Sequence, residues 1–125
     1  MAVVLDAGGL IAIDRQDRAV GAMLRVVQQE RLPVRTSAAV VAQVWRSGAR
    51  QANLARVLAG VDTVPLDSRA SRSVGEVLAR SRTADVVDGH LGLIVGADDI
   101  VLTSDPDDIK KILRARSVRA KVRRV

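Results

Sequence analysis

The sequence predicts a single α/β domain, built as a three-layer α/β/α sandwich around a mainly parallel five-stranded sheet. Three observations support this fold class. Short runs rich in Val, Leu and Ile alternate with segments of helical periodicity along the 125 residues. Strands that alternate with helices join into parallel sheets covered on both faces. No repeat, low-complexity tract or linker divides the chain, so residues 1–125 are predicted to form one domain.

Five segments have the composition of strands. The first four are short, apolar and β-branched, which is typical of strands buried in a parallel sheet. The last alternates Val118, Ala120 and Val122 with basic residues, the pattern of an edge strand with one buried face. The predicted strands are residues 2–5, 33–36, 61–66, 100–103 and 117–124.

The segments between these strands are predicted to be helical. Asp6-Ala-Gly-Gly is expected to form a turn into a short helix that ends at Ile13, and Gly96 is expected to follow the end of a later helix. The other predicted helices span residues 16–30, 38–46, 51–59, 68–80, 85–95 and 106–115. Capping side chains mark several of the helix starts: Ser37, Asp67 or Ser68, Thr83 or Asp85, and Asp105 before Pro106.

Composition excludes several classes of protein. The absence of Cys excludes disulfides and thiolate metal sites. No apolar run reaches the ~18 residues of a membrane span, and the start lacks the basic region of a signal peptide, so a cytoplasmic protein is predicted. Residues 110–125 carry eight basic side chains and no acid, whereas residues 1–109 are slightly acidic overall. Such a tail suits either a polyanion held beside the acids or a solvated terminal strand.

The acidic residues are mostly Asp, twelve of fourteen, and they follow apolar runs. Asp6 ends the first run, Asp85 and Asp88 lie at a helix start, and Asp105 follows the last long run. Ligands of parallel sheets lie beyond the carboxyl ends of the strands, so these carboxylates are expected to converge. Each of them except Asp88 has an ordinary explanation as a helix cap or a partner of the helix dipole. Asp88 lies on an apolar stripe, where a carboxylate needs a partner. Oxygen ligands alone favour Mg²⁺ or Mn²⁺.

These residues resemble a known family. Val-Leu-Asp6, the segment Asp88-x-x-x-Gly-Leu-Ile, and Val-Leu-Thr103-Ser104-Asp105-Pro-Asp-Asp occur in the order and spacing of a PIN domain. Over nearly its whole length the chain is similar to the small PIN-domain ribonucleases of VapC type, the toxins of bacterial toxin–antitoxin pairs. The resemblance implies a PIN-like fold and a Mg²⁺- or Mn²⁺-dependent endoribonuclease, in which the metal activates the water that attacks the scissile phosphate.

The resemblance assigns roles to individual positions. It implies that Asp6, Asp88 and Asp105 are the catalytic, metal-binding residues, with Asp107 or Asp108 as an accessory acid and Thr103 or Ser104 as the hydroxyl that orients them. The family's second acid, usually Glu on the helix after the second strand, is replaced by Gln43 in Ser37-Ala-Ala-Val-Val-Ala-Gln43. Gln43 removes one negative charge, which predicts weaker metal binding, and Asp85 is an accessory candidate to compensate for it.

Partners and alternatives follow from the same reasoning. RNA backbone is predicted to contact a group of basic residues: Arg46, Arg50, Arg119, Lys121 and Arg123. The resemblance also implies a VapB-like antitoxin, a homodimer and no membrane. His90 is predicted to point away from the acids, and Trp45 is more typical of a core or interface residue than of a base-stacking one.

The alternative function is a catalytically weakened PIN domain that binds RNA or antitoxin. A receiver-like signalling domain would need a late strand-end Lys, and none is present.

Overall fold

The computed structural model describes residues 1–125, and its five strands form one sheet in the order β3-β2-β1-β4-β5. Every neighbouring pair is parallel, which confirms the predicted α/β class and makes the sheet parallel throughout. The strands are β1 Val3–Leu5, β2 Val34–Ser37, β3 Asp62–Val64, β4 Ile100–Thr103 and β5 Lys121–Arg124.

Seven helices cover the two faces of the sheet. They are α1 Ala7–Asp14, α2 Arg18–Gln29, α3 Ala38–Val44, α4 Ala52–Leu58, α5 Ser68–Ser81, α6 Val86–Ile94 and α7 Pro106–Ala115. Helix α1 contacts α2, α3 and α4, whereas α5, α6 and α7 pack on one another. Right-handed crossovers produce this division, because the strand order proceeds one way from β1 to β3 and the other way from β4 to β5. None of the helices has the length and apolar composition that a membrane span requires.

Register places the ends of four strands side by side. Leu5 pairs with both Thr36 and Leu102, and Thr103 pairs with Arg124. Asp6 therefore leaves β1 next to the end of β4, and its amide donates to the Leu102 carbonyl at 3.0 Å. The strands are held there by a core without Phe or Tyr, in which Val4, Leu5 and Val101 are fully buried.

Several predicted boundaries shift in the structure. Residues 6–9 do not form a separate turn, because Asp6 caps α1 directly and the helix begins at Ala7. The last strand is shorter than residues 117–124 because Ser117 adopts a positive φ of 54° and ends a turn after α7. Gly96 follows α6 as predicted, but its φ is not positive. The N-caps Ser37, Asp67 and Asp85 accept the expected backbone hydrogen bonds.

Two glycines allow elements to approach closely near the strand ends. A Cβ on Gly8 would lie 2.7 Å from the backbone nitrogen of Ser104, so only glycine lets α1 start against the end of β4. A Cβ on Gly92 would overlap the Ile112 side chain, so glycine also sets the distance between α6 and α7. The helix that carries Asp88 is thereby seated against the helix that begins after Asp105.

We expect Gly92→Ala to lower the free energy of unfolding by about 1–3 kcal/mol, the usual cost of overpacking a well-filled contact. Urea denaturation measures this change. Gly75→Ala is the matched control, because it also lies within a helix and a Cβ there meets nothing within 4 Å. That control is expected to stabilise the protein by ~0.5–1 kcal/mol through helix propensity. Equal effects of the two variants would show that the α6–α7 contact is loose.

Candidate metal centre

Asp6 is held at the end of β1 by two hydrogen bonds. One carboxylate oxygen accepts from the amide of Ala7 at 2.8 Å, and the other accepts from the Thr103 hydroxyl at 2.7 Å. Asp6 is only 7% exposed and Thr103 is fully buried. The Thr103 hydroxyl also accepts from the amide of Asp105 at 3.1 Å. Thr103 thus connects the two acids at the strand ends, whereas Ser104 is exposed and makes no such side-chain bond.

Asp105 occupies the N-cap position of α7 without capping it. Its side chain accepts no hydrogen bond from the first turn, so the ordinary explanation of this residue as a helix cap is wrong. The exposed carboxylate is therefore available to a ligand. Asp107 and Asp108 follow in the first turn of α7, where Asp108 is half-buried and lies 3.9 Å from the Lys111 ammonium.

Asp88 carries the strongest electrostatic signal. Burial, followed by the charges of Asp85, Asp6, Asp108 and Asp105 in that order, raises the pKa of the Asp88 carboxyl from 3.8 to about 7. All four neighbours that act on it are acids, and no basic group offsets them. The acids from β1, α6 and α7 therefore share one electrostatic environment, which we call the acid cluster: Asp6, Asp85, Asp88, Asp105 and Asp108.

The acid cluster has the chemistry of a cation site, although its side chains are not gathered around a point. No three carboxylate or imidazole groups lie close enough to enclose an ion. The raised pKa of Asp88 arises first from burial and then from the neighbouring carboxylates, whose charges produce mutual repulsion. A hard divalent cation would relieve it, and carboxylate oxygens are the ligands that Mg²⁺ and Mn²⁺ prefer. The residues present therefore supply suitable oxygen ligands, although their positions in this structure do not enclose an ion.

The two remaining predicted accessory residues differ in place: Asp85 belongs to the acid cluster, whereas Gln43 lies outside it. Asp85 is exposed and caps α6, because its carboxylate accepts from the amide of Asp88 at 3.0 Å. Gln43 is exposed on α3 and its side chain makes no hydrogen bond within the chain. Helix α3 packs against α1 and α6, which bear Asp6 at the cap and Asp88 in the first turn. Gln43 thus lies on a helix beside the acid cluster and adds no charge to it.

His90 belongs to the core. It is 1% exposed, and its Nδ1 lies 2.6 Å from the Ser37 hydroxyl. Burial lowers the pKa of the imidazole, while the charge of Asp67 and a hydrogen bond to the Pro65 backbone act in the opposite direction. A neutral ring that donates to Pro65 and accepts from Ser37 satisfies both contacts. His90 therefore fastens α6 to the end of β2 and has no contact with the acid cluster.

The basic residues predicted to bind RNA lie in different places. Lys121 begins β5 and pairs with Ile100, and Arg119 lies two residues before the strand, so both are at the opposite edge of the sheet from Asp6. Arg123 lies one residue before the end of β5. Arg46 donates to the carbonyls of Ala42 and Trp45 at the end of α3, and Arg50 is exposed in the following turn.

The sequence reasoning did not select Arg124, which the register Thr103–Arg124 places beside the acid cluster. The alternation of apolar and basic residues shows only which face each side chain takes, so it gave no signal for this position.

The largest groove, about 730 Å³ between α1, α2 and α4, includes Arg18, Arg25 and Arg56 but none of the acid cluster. The acid cluster thus lies outside this groove.

Comparison with known proteins gives a structural match. No protein-family model matches the chain, and no curated protein matches its sequence. The structure is similar to a chain in the crystal structure of VapBC2 from Rickettsia felis bound to a DNA fragment from its promoter. The TM-score is 0.68 at 13% sequence identity, over 98% of this chain and 99% of that chain. Similarity at this identity establishes the fold, and the predicted PIN-like α/β/α sandwich is confirmed.

Proposed function

We propose that this protein is a Mg²⁺- or Mn²⁺-dependent endoribonuclease, a PIN-domain toxin of VapC type. The observation that carries the proposal is the acid cluster: burial, together with the charges of its four other members, raises the pKa of Asp88 to about 7, and no basic group offsets them. A buried or half-buried group whose pKa is shifted by specific charges is a candidate for a functional site. The proposal includes a cytoplasmic location, a homodimer and a VapB-like antitoxin as partner.

Three residues of the acid cluster have distinct tasks in the proposed reaction. Asp6 is oriented by Thr103, and Asp105 presents a carboxylate that the helix does not use. Asp88 must lose its proton before it can bind a cation, so the pH dependence of metal binding should follow its titration near pH 7. A bound divalent ion supplies an activated water and stabilises charge on the scissile phosphate. The experiment is cleavage of single-stranded RNA with Mg²⁺ or Mn²⁺ and with EDTA, and cleavage that persists in EDTA would contradict the proposal.

Gln43 favours a second candidate function, a weakened PIN domain that binds RNA or antitoxin without efficient cleavage. An amide at this position leaves the acid cluster one charge short of the pattern that the chain resembles. Measurable cleavage by the wild-type protein would exclude a binding-only role. Metal-dependent RNA binding without cleavage would support it.

We expect Gln43→Glu to tighten Mn²⁺ and Mg²⁺ binding roughly tenfold, because one added carboxylate attracts the cation by about 1–2 kcal/mol in a partly exposed site. Isothermal titration calorimetry measures the affinity directly. Ala42→Glu is the matched control: Ala42 is also exposed on α3, and the same charge points about 100° away around the helix. If both variants bind metal as the wild type does, Gln43 is an ordinary surface residue.

A further inference from the structure

The last strand brings one arginine to the edge of the acid cluster. Arg124 pairs in register with Thr103, and the amide of Val125 donates to the Thr103 carbonyl at 2.9 Å. The Arg124 side chain reaches over the end of β4, where Nη1 donates to the Ser104 carbonyl at 3.4 Å. The backbone of Arg124 is therefore fixed against the turn that links Thr103 to Asp105, and its side chain extends to the same turn.

The sheet geometry sets the distance between this arginine and the acids. Strands β1, β4 and β5 are consecutive in the sheet, and Asp6, Thr103 and Arg124 stand at their ends. Neighbouring strands lie about 4.8 Å apart, so the backbones of Asp6 and Arg124 are roughly 10 Å from each other. An ion held by the acid cluster and a guanidinium at this position can contact different oxygens of the same extended polyanion.

The Arg124 guanidinium is also free to bind. It is exposed, and its one hydrogen bond is long, so most of its five N–H donors have no partner in the chain. It forms no ion pair, since the two ion pairs in the structure are Arg35–Asp62 and Lys111–Asp108. It is not among the charges that shift the pKa of Asp88. Arg124 is thus a cation beside the acid cluster that does not neutralise it.

We infer that Arg124 binds a phosphate of the RNA substrate next to the acid cluster and so fixes the strand for cleavage. This inference rests on the proposed function. A guanidinium matches two phosphate oxygens with parallel donors, whereas an ammonium acts as a point charge. Arg119 and Lys121, at the other end of the same strand, are too far along the sheet to share this phosphate.

An RNA phosphate explains the position better than the carboxylate of a protein partner. The chain has no Phe or Tyr to stack bases, so RNA affinity must come mainly from backbone phosphates. A phosphodiester offers one non-bridging oxygen to a cation at the acid cluster and another to Arg124. A single carboxylate from a protein would bind either the cation at the acid cluster or Arg124, and its geometry does not require both.

The test measures RNA binding with cleavage suppressed. The parent protein carries Asp88→Asn, and binding of a fluorescent single-stranded RNA is followed by anisotropy in Mg²⁺ over a salt series. Arg124→Gln should make log K fall less steeply with log[salt]. The steepness should drop by about 0.7, the value for one lost contact on a single strand. Arg31→Gln is the matched control, an exposed arginine just before the start of β2 and so at the other end of the strands from Asp6, and should leave the slope unchanged. Arg124→Lys should restore the slope with only part of the affinity.

The possible outcomes separate this inference from the proposed function. If the parent protein binds RNA and Arg124→Gln binds it with the same slope and affinity, the Arg124 assignment is overturned while the nuclease proposal stands. If Arg124→Gln weakens binding of a polyglutamate peptide and leaves RNA binding intact, Arg124 contacts a protein carboxylate and the assignment is again overturned. If the wild-type protein neither binds nor cleaves RNA, the proposed function fails and this inference fails with it.

Discussion

Asp88→Asn is expected to abolish metal-dependent RNA cleavage while making the metal-free protein more stable at neutral and alkaline pH. Activity should fall by more than about 100-fold, since even residues behind a metal ligand change activity by 10–100-fold. Stability should rise because the neutral amide avoids the cost of a partly buried charge and the repulsion that the four neighbouring acids exert on the Asp88 carboxylate. An ordinary structural aspartate would behave in the opposite way, because its loss would destabilise the fold.

The sign of the stability change follows from the titration of Asp88. Its pKa is about 7 in the folded protein against 3.8 as a reference for the unfolded chain, so the folded state holds the proton more tightly. The free energy of unfolding of the wild type should therefore fall as pH rises from about 4 to about 7. The whole of this loss is present above pH 7. Because Asp88 is half-exposed, solvent screening reduces that cost to about 1–2 kcal/mol.

Urea denaturation in EDTA at pH 5 and pH 8 measures the effect. The difference between Asp88→Asn and the wild type should be small at pH 5 and largest at pH 8. Asp107→Asn is the control, because Asp107 is exposed in the first turn of α7 and is not among the charges acting on Asp88. A destabilised Asp88→Asn at pH 8 would mean that this carboxylate has a stabilising partner, and the idea of an uncompensated acid cluster would be lost.

The sequence predicted that these acids would lie near one another because they follow apolar strands or stand at helix starts. Strand β4 was predicted with the bounds that the structure has, and parallel strand ends share an edge of the sheet. Asp88 stood out because a carboxylate on an apolar stripe needs a partner. The structure adds that Asp85, Asp6, Asp108 and Asp105 all act on it, which no spacing rule could give, because it depends on how α6 and α7 pack at Gly92.

The basic tail could not be interpreted from the sequence alone. Alternation predicts which face of a strand a side chain takes, but the position along the sheet depends on register with β4. The strand begins only at Lys121, so Arg119 lies before it and Arg124 is the residue whose side chain reaches the Ser104 carbonyl beside the acid cluster. The sequence also left open whether Thr103 or Ser104 orients the acids. Adjacent strand residues point to opposite faces, and the structure shows that the Thr103 hydroxyl is the one that meets Asp6.

Thr103→Val is expected to reduce RNA cleavage by about 10–100-fold, the usual effect of losing a partner that orients a metal ligand. Valine keeps the shape of the buried side chain but removes the hydroxyl that donates to Asp6 and accepts from the Asp105 amide. The free energy of unfolding should fall by about 1–3 kcal/mol, because the partly buried amide of Asp105 and the buried carboxylate of Asp6 each lose a partner. Cleavage at saturating Mg²⁺ and urea denaturation measure the two effects separately.

Thr36→Val distinguishes orientation of Asp6 from general loss of stability. Thr36 is as fully buried as Thr103, and its hydroxyl donates to the Leu5 carbonyl at 2.7 Å, one residue before Asp6. The same substitution there should cost a similar stability, because a buried hydroxyl bond is lost in both cases, but it leaves the Asp6 carboxylate bonded to Thr103. Cleavage should then remain close to wild type. If Thr36→Val loses as much activity as Thr103→Val, the hydroxyl of Thr103 serves the sheet as a whole, and its bond to Asp6 has no particular part in catalysis.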